Sequence, residues 1–355
     1  MEDLGMNKFW NGRRVFLTGH TGFKGGWLAL WLKQLGASVH GFALAPSTEP
    51  SLFEVCNLEE QLDSSTIGDV RDISVLRAAM HEAAPEVVFH LAAQPLVRES
   101  YGQPVETFDI NVMGTVNTLE CTRDVDGIKG VVVVTTDKCY ENLEVEVPYK
   151  ETDRLGGRDP YSSSKACSEL VANAYHRSFL SELGIGVATA RAGNVIGGGD
   201  WAPDRLVPDL LRAHEQGEPL QVRSPGSVRP WQHVLEPLSG YLLLGKLLCD
   251  SNSRAVGAWN FGPAESDARP VSWIVERMCS QLPGAHWDHD VDSHPHEAKL
   301  LMLDHTKVTD QLGWAPRWNL EMALDKTIAW EQARLMSSDM LAVTKEQISD
   351  YEGSP

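Results

Sequence analysis

Val15-Phe16-Leu17-Thr18-Gly19-His20-Thr21-Gly22-Phe23-Lys24-Gly25 is the stretch on which the fold turns. Its first four residues read as a short buried strand, and Trp27 to Leu35 carries apolar residues at helical spacing. A strand, a glycine loop and a helix in that order make a dinucleotide site. Glycines let the backbone approach a pyrophosphate, and the free N–H groups at the helix start receive its charge. Gly19, Thr21, Gly22, Phe23 and Gly25 are therefore candidate cofactor contacts.

Outward from that loop the same alternation continues. Ser38 to Ala43 reads as a second strand, but the acidic residue that would hold an adenosine ribose is absent from Phe42-Ala43-Leu44-Ala45. No Lys or Arg lies between Ala43 and Val70 to neutralise an extra phosphate, so NAD is expected rather than NADP. A third strand leads to Ile67-Gly68-Asp69-Val70, where Asp69 either accepts from an adenine amino group or caps the following helix. Val87 to Leu91 is a fourth strand, and the small residues after it let the backbone pass close to a cofactor, which adds Leu91, Ala92 and Ala93 to the contacts. Val131 to Thr135 and Val187 to Arg191 are further strands, with helical patterns at Thr107 to Thr122 and Ser162 to Leu183 between them. Such alternation predicts an α/β fold, a doubly wound, Rossmann-like parallel sheet, over residues 1–200. After Gly199 the alternation fails and prolines punctuate shorter segments. A smaller C-terminal α/β substrate domain is expected over 201–337, with a segment near 231–262 returning to the sheet and a polar, mobile tail at 338–355.

The 355 residues, 42% hydrophobic and 23% charged, allow one large domain or two unequal ones. A formal charge of −18 disfavours nucleic acid or an anionic membrane as partner, so any anionic ligand depends on local cations. No apolar run is long enough to span a bilayer, and Met1 to Trp10 lacks the core of a secretion signal, which predicts a cytoplasmic protein. Six scattered cysteines read as reduced thiols. His286, His289, His294 and His296, interleaved with aspartates, fit no regular metal-ligand spacing and read as a solvated loop.

Chemistry enters at Tyr161-Ser162-Ser163-Ser164-Lys165, where a phenol and an ammonium four residues apart share one helix face. Alone, this spacing is more often an exposed helix surface; beside a dinucleotide loop it reads as a base for a sugar hydroxyl. A fixed cation and the positive end of a helix are both expected to favour the phenolate. Thr135, at a strand end, is expected to supply the hydroxyl that positions substrate.

These motifs, with His90-Leu-Ala-Ala93, Asn111-Val-Met-Gly-Thr115 and Leu312-Gly-Trp-Ala-Pro316, resemble the extended short-chain dehydrogenase/reductases from Val15 to about Trp330. Within that family, Thr136-Asp137-Lys138-Cys139-Tyr140 is similar to the stretch where sugar-nucleotide 4,6-dehydratases carry Thr-Asp-Glu, with Lys138 standing in place of Glu. The resemblance implies NAD as cofactor, Thr136 in the catalytic set, Asp137 as the acid for a departing hydroxyl, and Lys138 as base or orienting cation. It also implies substrate contacts from Arg98, Asn194, Arg205 and Arg229, and a homodimer through the Thr107 and Ser162 helices. The glycine loop and Arg191 to Trp201 resemble the branch that acts on CDP-glucose. A 4-epimerase or reductase of the same family, which does not need Asp137, and an inactive NAD-binding scaffold are the alternatives.

Overall fold

Every residue of Val87–His90 and of Gly130–Val134 is buried, which demands cover on both faces and hence a parallel sheet between two helical layers. The computed structural model describes residues 4–144, 146–250, 253–292 and 300–355. Its main sheet comprises β1 (Arg14–Thr18), β2 (Ser38–Ala43), β3 (Ser64–Ile67), β4 (Val87–His90), β5 (Gly130–Val134), β6 (Gly186–Ala192) and β7 (Gly257–Phe261). All are parallel, in the order β7-β6-β5-β4-β1-β2-β3. The doubly wound sheet predicted from the alternation is present, and β7 is the anticipated return of the chain, paired with β6. The principal helices are α1 (Phe23–Gln34), α2 (Ile73–Ala83), α3 (Gly114–Thr122), α4 (Pro160–Tyr175), α5 (Leu206–Gln216), α6 (Leu235–Cys249), α7 (Val271–Gln281), α8 (Leu320–Leu335) and α9 (Met340–Glu352).

Successive strand residues point to opposite faces. Val15, Leu17, Phe89, Val132 and Ala190 join α1 and α6 in one core, while Phe16, Val88, Val131 and Val187 join α2, α3 and α4 in the other. A third core, with Leu210 of α5, Ile274 and Met278 of α7, and Leu324 and Ile328 of α8, forms beyond the strands' carboxyl ends. The cleft lies where the sheet meets this third core. Of the His/Asp stretch, His294 and His296 lie outside the described residues, and among the described residues no group of three or more potential ligands is placed to hold a metal ion.

The expectation of a mobile polar tail is corrected. Asp339 caps α9 by accepting from the Ala342 N–H at 3.1 Å, and Met340, Ile348 and Tyr351 are buried in the first core. Its buried face also includes the polar Thr344 and Gln347, which hide the apolar stripe in the sequence. Its docking explains why Gly25 through Leu32 of α1 are all buried: α1 is enclosed between the sheet and α9, and Trp31 Nε1 donates to Glu352 Oε1 at 2.7 Å.

Glu236 of α6 anchors this arrangement. Its carboxylate accepts from the backbone N–H of Trp318 at 2.6 Å, from that of Arg317 at 3.1 Å and from the Tyr351 hydroxyl at 2.8 Å. Burial pushes its carboxyl up from 4.5 to about 7, against those three donors. A raised folded-state value means that stability from this group is fully present below about pH 4.5 and is lost as pH rises through about 7. Glu236→Gln removes the titration while keeping the shape. The stability difference between wild type and this variant, measured by urea unfolding, should therefore shift against the wild type between pH 4.5 and 7; a pH-independent difference would show that the carboxyl titrates normally.

Candidate active site

A cleft of about 810 Å³ opens over the carboxyl ends of the strands, where open α/β sheets bind ligands. At its cofactor end, Gly19 has φ +81°, and a Cβ there would stand 2.8 Å from the Ala92 nitrogen; a Cβ on Gly25 would overlap the Gly19 carbonyl oxygen. Both positions therefore require glycine. Gly22 caps α1 without a side-chain bond, unlike Asp72, Asp159, Asn319 and Asp339 at their helices. The first-turn N–H groups of α1 are thus left to an anion. Thr21 donates to the Leu44 carbonyl at 2.8 Å and fixes the loop after β2. Gly19, Thr21, Gly22, Phe23, Gly25, Asp69, Val70, Leu91, Ala92 and Ala93 all line this end. A dinucleotide fits the glycine cradle. The cap reading of Asp69 is corrected: Asp72, accepting from Ser74 and Val75 N–H groups, is the N-cap of α2, whereas both Asp69 oxygens are engaged by Arg71 at the cleft wall.

The middle of the cleft carries the candidate chemistry. Asp159 accepts from Ser162 N–H at 2.9 Å and starts α4 with Pro160, which places Tyr161 in its first turn and Lys165 one turn on. Lys165 Nζ donates to the Val134 carbonyl at 3.2 Å, and burial pulls its ammonium down to about 8, opposed by the charge of Glu169. The expectation of a depressed Tyr161 is corrected. Burial dominates and pushes the phenol up to about 12, while a hydrogen bond with Thr136 and the charge of Arg205 pull the other way.

The two threonines also separate. Thr135, expected to position substrate, turns its hydroxyl away and donates to Glu169 Oε1 at 2.5 Å; Thr136, whose hydroxyl donates to Asp137 Oδ1, is the threonine that acts on the Tyr161 phenol. Asp137 is 0% exposed and does not line the cleft, with Oδ1 accepting from Thr136 Oγ1 at 3.0 Å and Oδ2 lacking a hydrogen-bond partner. Lys138 Nζ, on a side chain 32% exposed at the cleft, lies 3.5 Å from Asp137 Oδ1.

Arg98, Asn194, Arg205 and Arg229 also line the cleft. Arg205 pairs with Asp200 at 2.7 Å and Arg98 with Asp204 at 2.8 Å, so an entering phosphate competes with, or joins, carboxylates already in place. The Asn194 side-chain oxygen is buried without a partner. Lys24 was missed as a site residue. It lines the cleft from the first turn of α1, and burial together with the charges of Arg205, Lys165 and Lys138 lowers it to about 7. Its signal was visible: a cation inside the glycine loop, at a helix end that disfavours one.

The family profile described as GDP-mannose 4,6 dehydratase matches residues 16–327. The chain is 51% identical over 349 residues to a CDP-glucose 4,6-dehydratase of Salmonella typhimurium, covering 97% of each protein. It is 27% identical to a dTDP-glucose 4,6-dehydratase of Xanthomonas campestris pv. campestris, over 88% of this chain and 92% of that one. Among solved structures, dTDP-glucose 4,6-dehydratase from Bacillus anthracis in complex with NAD superposes with a TM-score of 0.76 at 22% identity, covering 93% of this chain and 100% of that one. An epimerase from Methanothermobacter thermautotrophicus gives a TM-score of 0.79 at 22% identity over 94% and 96%; at that identity both report the fold alone. With the glycine cradle, the Tyr161 and Lys165 pair and the Asp137-Lys138 loop gathered in one cleft, and with a match over nearly its whole length, the chain belongs to the GDP-mannose 4,6 dehydratase family, within the extended short-chain dehydrogenase/reductases.

Proposed function

We propose that this protein is an NAD-dependent dehydratase that converts CDP-glucose to CDP-4-keto-6-deoxyglucose. The observation that carries the reading is that Tyr161, Lys165, Lys138 and Thr136 line one cleft, with the Thr136 hydroxyl donating to Asp137 Oδ1 at 3.0 Å, in a chain 51% identical to a CDP-glucose 4,6-dehydratase. An oxidation alone needs no Asp137-Lys138 loop.

The cradle of Gly19, Gly22 and Gly25 would hold NAD, which would supply the acceptor for the C4 hydride and its donor to C6. Tyr161 takes the C4 hydroxyl proton, and Thr136 holds that hydroxyl and the phenol in line. Lys165 stays bonded to the Val134 carbonyl and keeps a cation one turn below. Once C4 is a ketone the C5 proton is acidic. Lys138 faces the cleft and removes that proton or orients the sugar for its removal, Asp137 protonates the departing C6 hydroxyl through the Thr136 hydroxyl bonded to it, so that one water leaves across C5 and C6, and the proton is returned to C5 as hydride reaches C6. Arg205, Arg229 and Arg98 meet the pyrophosphate.

A homodimer accords with apolar residues left on the surface of two adjacent helical runs. Val105 is 82% exposed, and Phe108, Met113, Leu170 and Phe179 are also exposed. Six free thiols accord with a reducing cytoplasm, and no helix among the described residues is long and apolar enough to cross a membrane.

With CDP-glucose and substoichiometric NAD, the product should be a 4-keto-6-deoxy sugar; NADH rising in step with product, or a C4 epimer, would refute the dehydratase. Tyr161→Phe should lose C4 oxidation by about 10²–10⁴-fold with the fold intact. In Asp137→Asn, oxidation should persist while water loss slows by about 10²–10⁴-fold, so that bound NADH accumulates in a single turnover. Arg229→Ala should weaken nucleotide-sugar binding by roughly 1.5–3 kcal/mol and leave NAD binding nearly unchanged, as measured by calorimetry.

A further inference from the structure

Behind the cleft lies a buried polar network that the proposed chemistry does not use. Glu169 sits one turn beyond Lys165 and two beyond Tyr161 on α4. Its Oε1 accepts from the Thr135 hydroxyl at 2.5 Å, and its Oε2 accepts from the Thr189 hydroxyl at 2.7 Å and from Arg191 Nη2 at 2.7 Å. Both side chains of this ion pair are 3% exposed. Arg191 continues the chain: its Nη1 donates to the Tyr140 hydroxyl at 2.8 Å, which donates to Asn260 Oδ1 at 2.7 Å, and its guanidinium stands 4.9 Å from the Tyr140 ring centre.

Thr135 and Tyr140 are the two ends of one short loop, and everything between them is Thr136, Asp137, Lys138 and Cys139. The ion pair therefore grips that loop at both ends, through Glu169 at the start and Arg191 at the finish. Between the grips the backbone makes a single 3₁₀ turn, Asp137–Cys139, of which Cys139 packs with Ala166 of α4 in a small apolar cluster while the two ends add directional side-chain bonds. The Tyr161 and Lys165 helix is secured independently, by the Asp159 cap, by Lys165 on the Val134 carbonyl, and by Asn111 Nδ2 on Ser164 Oγ at 2.9 Å.

We propose that the Glu169–Arg191 pair is the positioning device of the loop that carries Asp137 and Lys138, setting where those groups stand against the substrate for elimination while leaving C4 oxidation to α4. Glu169 and Arg191 are positioning residues, acting through Thr135 and Tyr140. The inference rests on the dehydratase reading.

Deleting either charge would strand its partner in the interior and destabilise the fold itself, so the test removes the loop-side hydroxyls and keeps the pair. In Tyr140→Phe, and more so in the Thr135→Val/Tyr140→Phe double variant, single-turnover mixing with CDP-glucose and NAD should form bound NADH at close to the wild-type rate. Product should then appear about 10–100-fold more slowly, the scale of a small misplacement of a catalytic group. Thr135→Ser, which keeps the hydroxyl, should restore wild-type partitioning when combined with native Tyr140. Product at the wild-type rate in the double variant, or equal slowing of NADH formation and product, overturns the inference; if the double variant does not fold, Tyr140→Phe alone decides it on the same ratio. Wild-type enzyme that makes no 4-keto-6-deoxy sugar sinks the function as well, whereas active wild type with an unaffected variant sinks only the positioning role.

Discussion

Between α1 and the turn after β1 there is no room for one methyl group: a Cβ on Gly25 would overlap the Gly19 carbonyl oxygen, and one on Gly19 would press on the Ala92 nitrogen. This contact sets the depth at which α1 lies against the sheet. Because α1 is enclosed on its other side by α9, the same contact ties the cofactor cradle to the far end of the chain, through Trp31 with Glu352 and through Tyr351 with Glu236. A helix buried on all sides is costly to move. The cradle is accordingly part of the core rather than a surface loop.

Around that rigid cradle the charges run against the rest of the molecule. The chain carries a formal −18, yet Lys24, Lys165 and Arg205 converge on one cleft with Lys138 beside them. Burial and mutual repulsion hold Lys24 at about 7, and burial holds Lys165 at about 8. Cations crowded in this way lower the cost of ionising a group as far from neutrality as Tyr161, pushed up to about 12 by its own burial. A site so arranged favours an anionic ligand, because anionic charge relieves the repulsion among its cations.

The site also divides into two mechanical parts. The Tyr161 helix draws its position from sheet packing, whereas the Asp137 loop adds, to the packing of Cys139 and Tyr140 against Ala166, side-chain hydrogen bonds to a buried ion pair. Packing resists displacement through many small contacts, and a hydrogen-bonded network resists it through a few directional ones.

By itself the sequence determined the sheet, its order of secondary elements and the glycine loop that opens the cleft. Glycines at 19, 22 and 25, continuous apolar runs such as Val131 to Val134, and the Tyr161 and Lys165 spacing are local signals, each legible within a dozen residues because a strand, a tight turn and a helix face are local objects. Three things were decided only by tertiary structure. The tail became a helix because its narrow stripe of Met340, Ile348 and Tyr351 has meaning only against α1 and α6. The Tyr161 phenol rose instead of falling because burial, which no spacing reveals, outweighs the cations near it. Thr135 turned from the cleft because Glu169 and Arg191, 34 residues and more away in sequence, meet behind the strand and take its hydroxyl. Local pattern fixes which groups are available; burial and long-range pairing fix their direction and their charge.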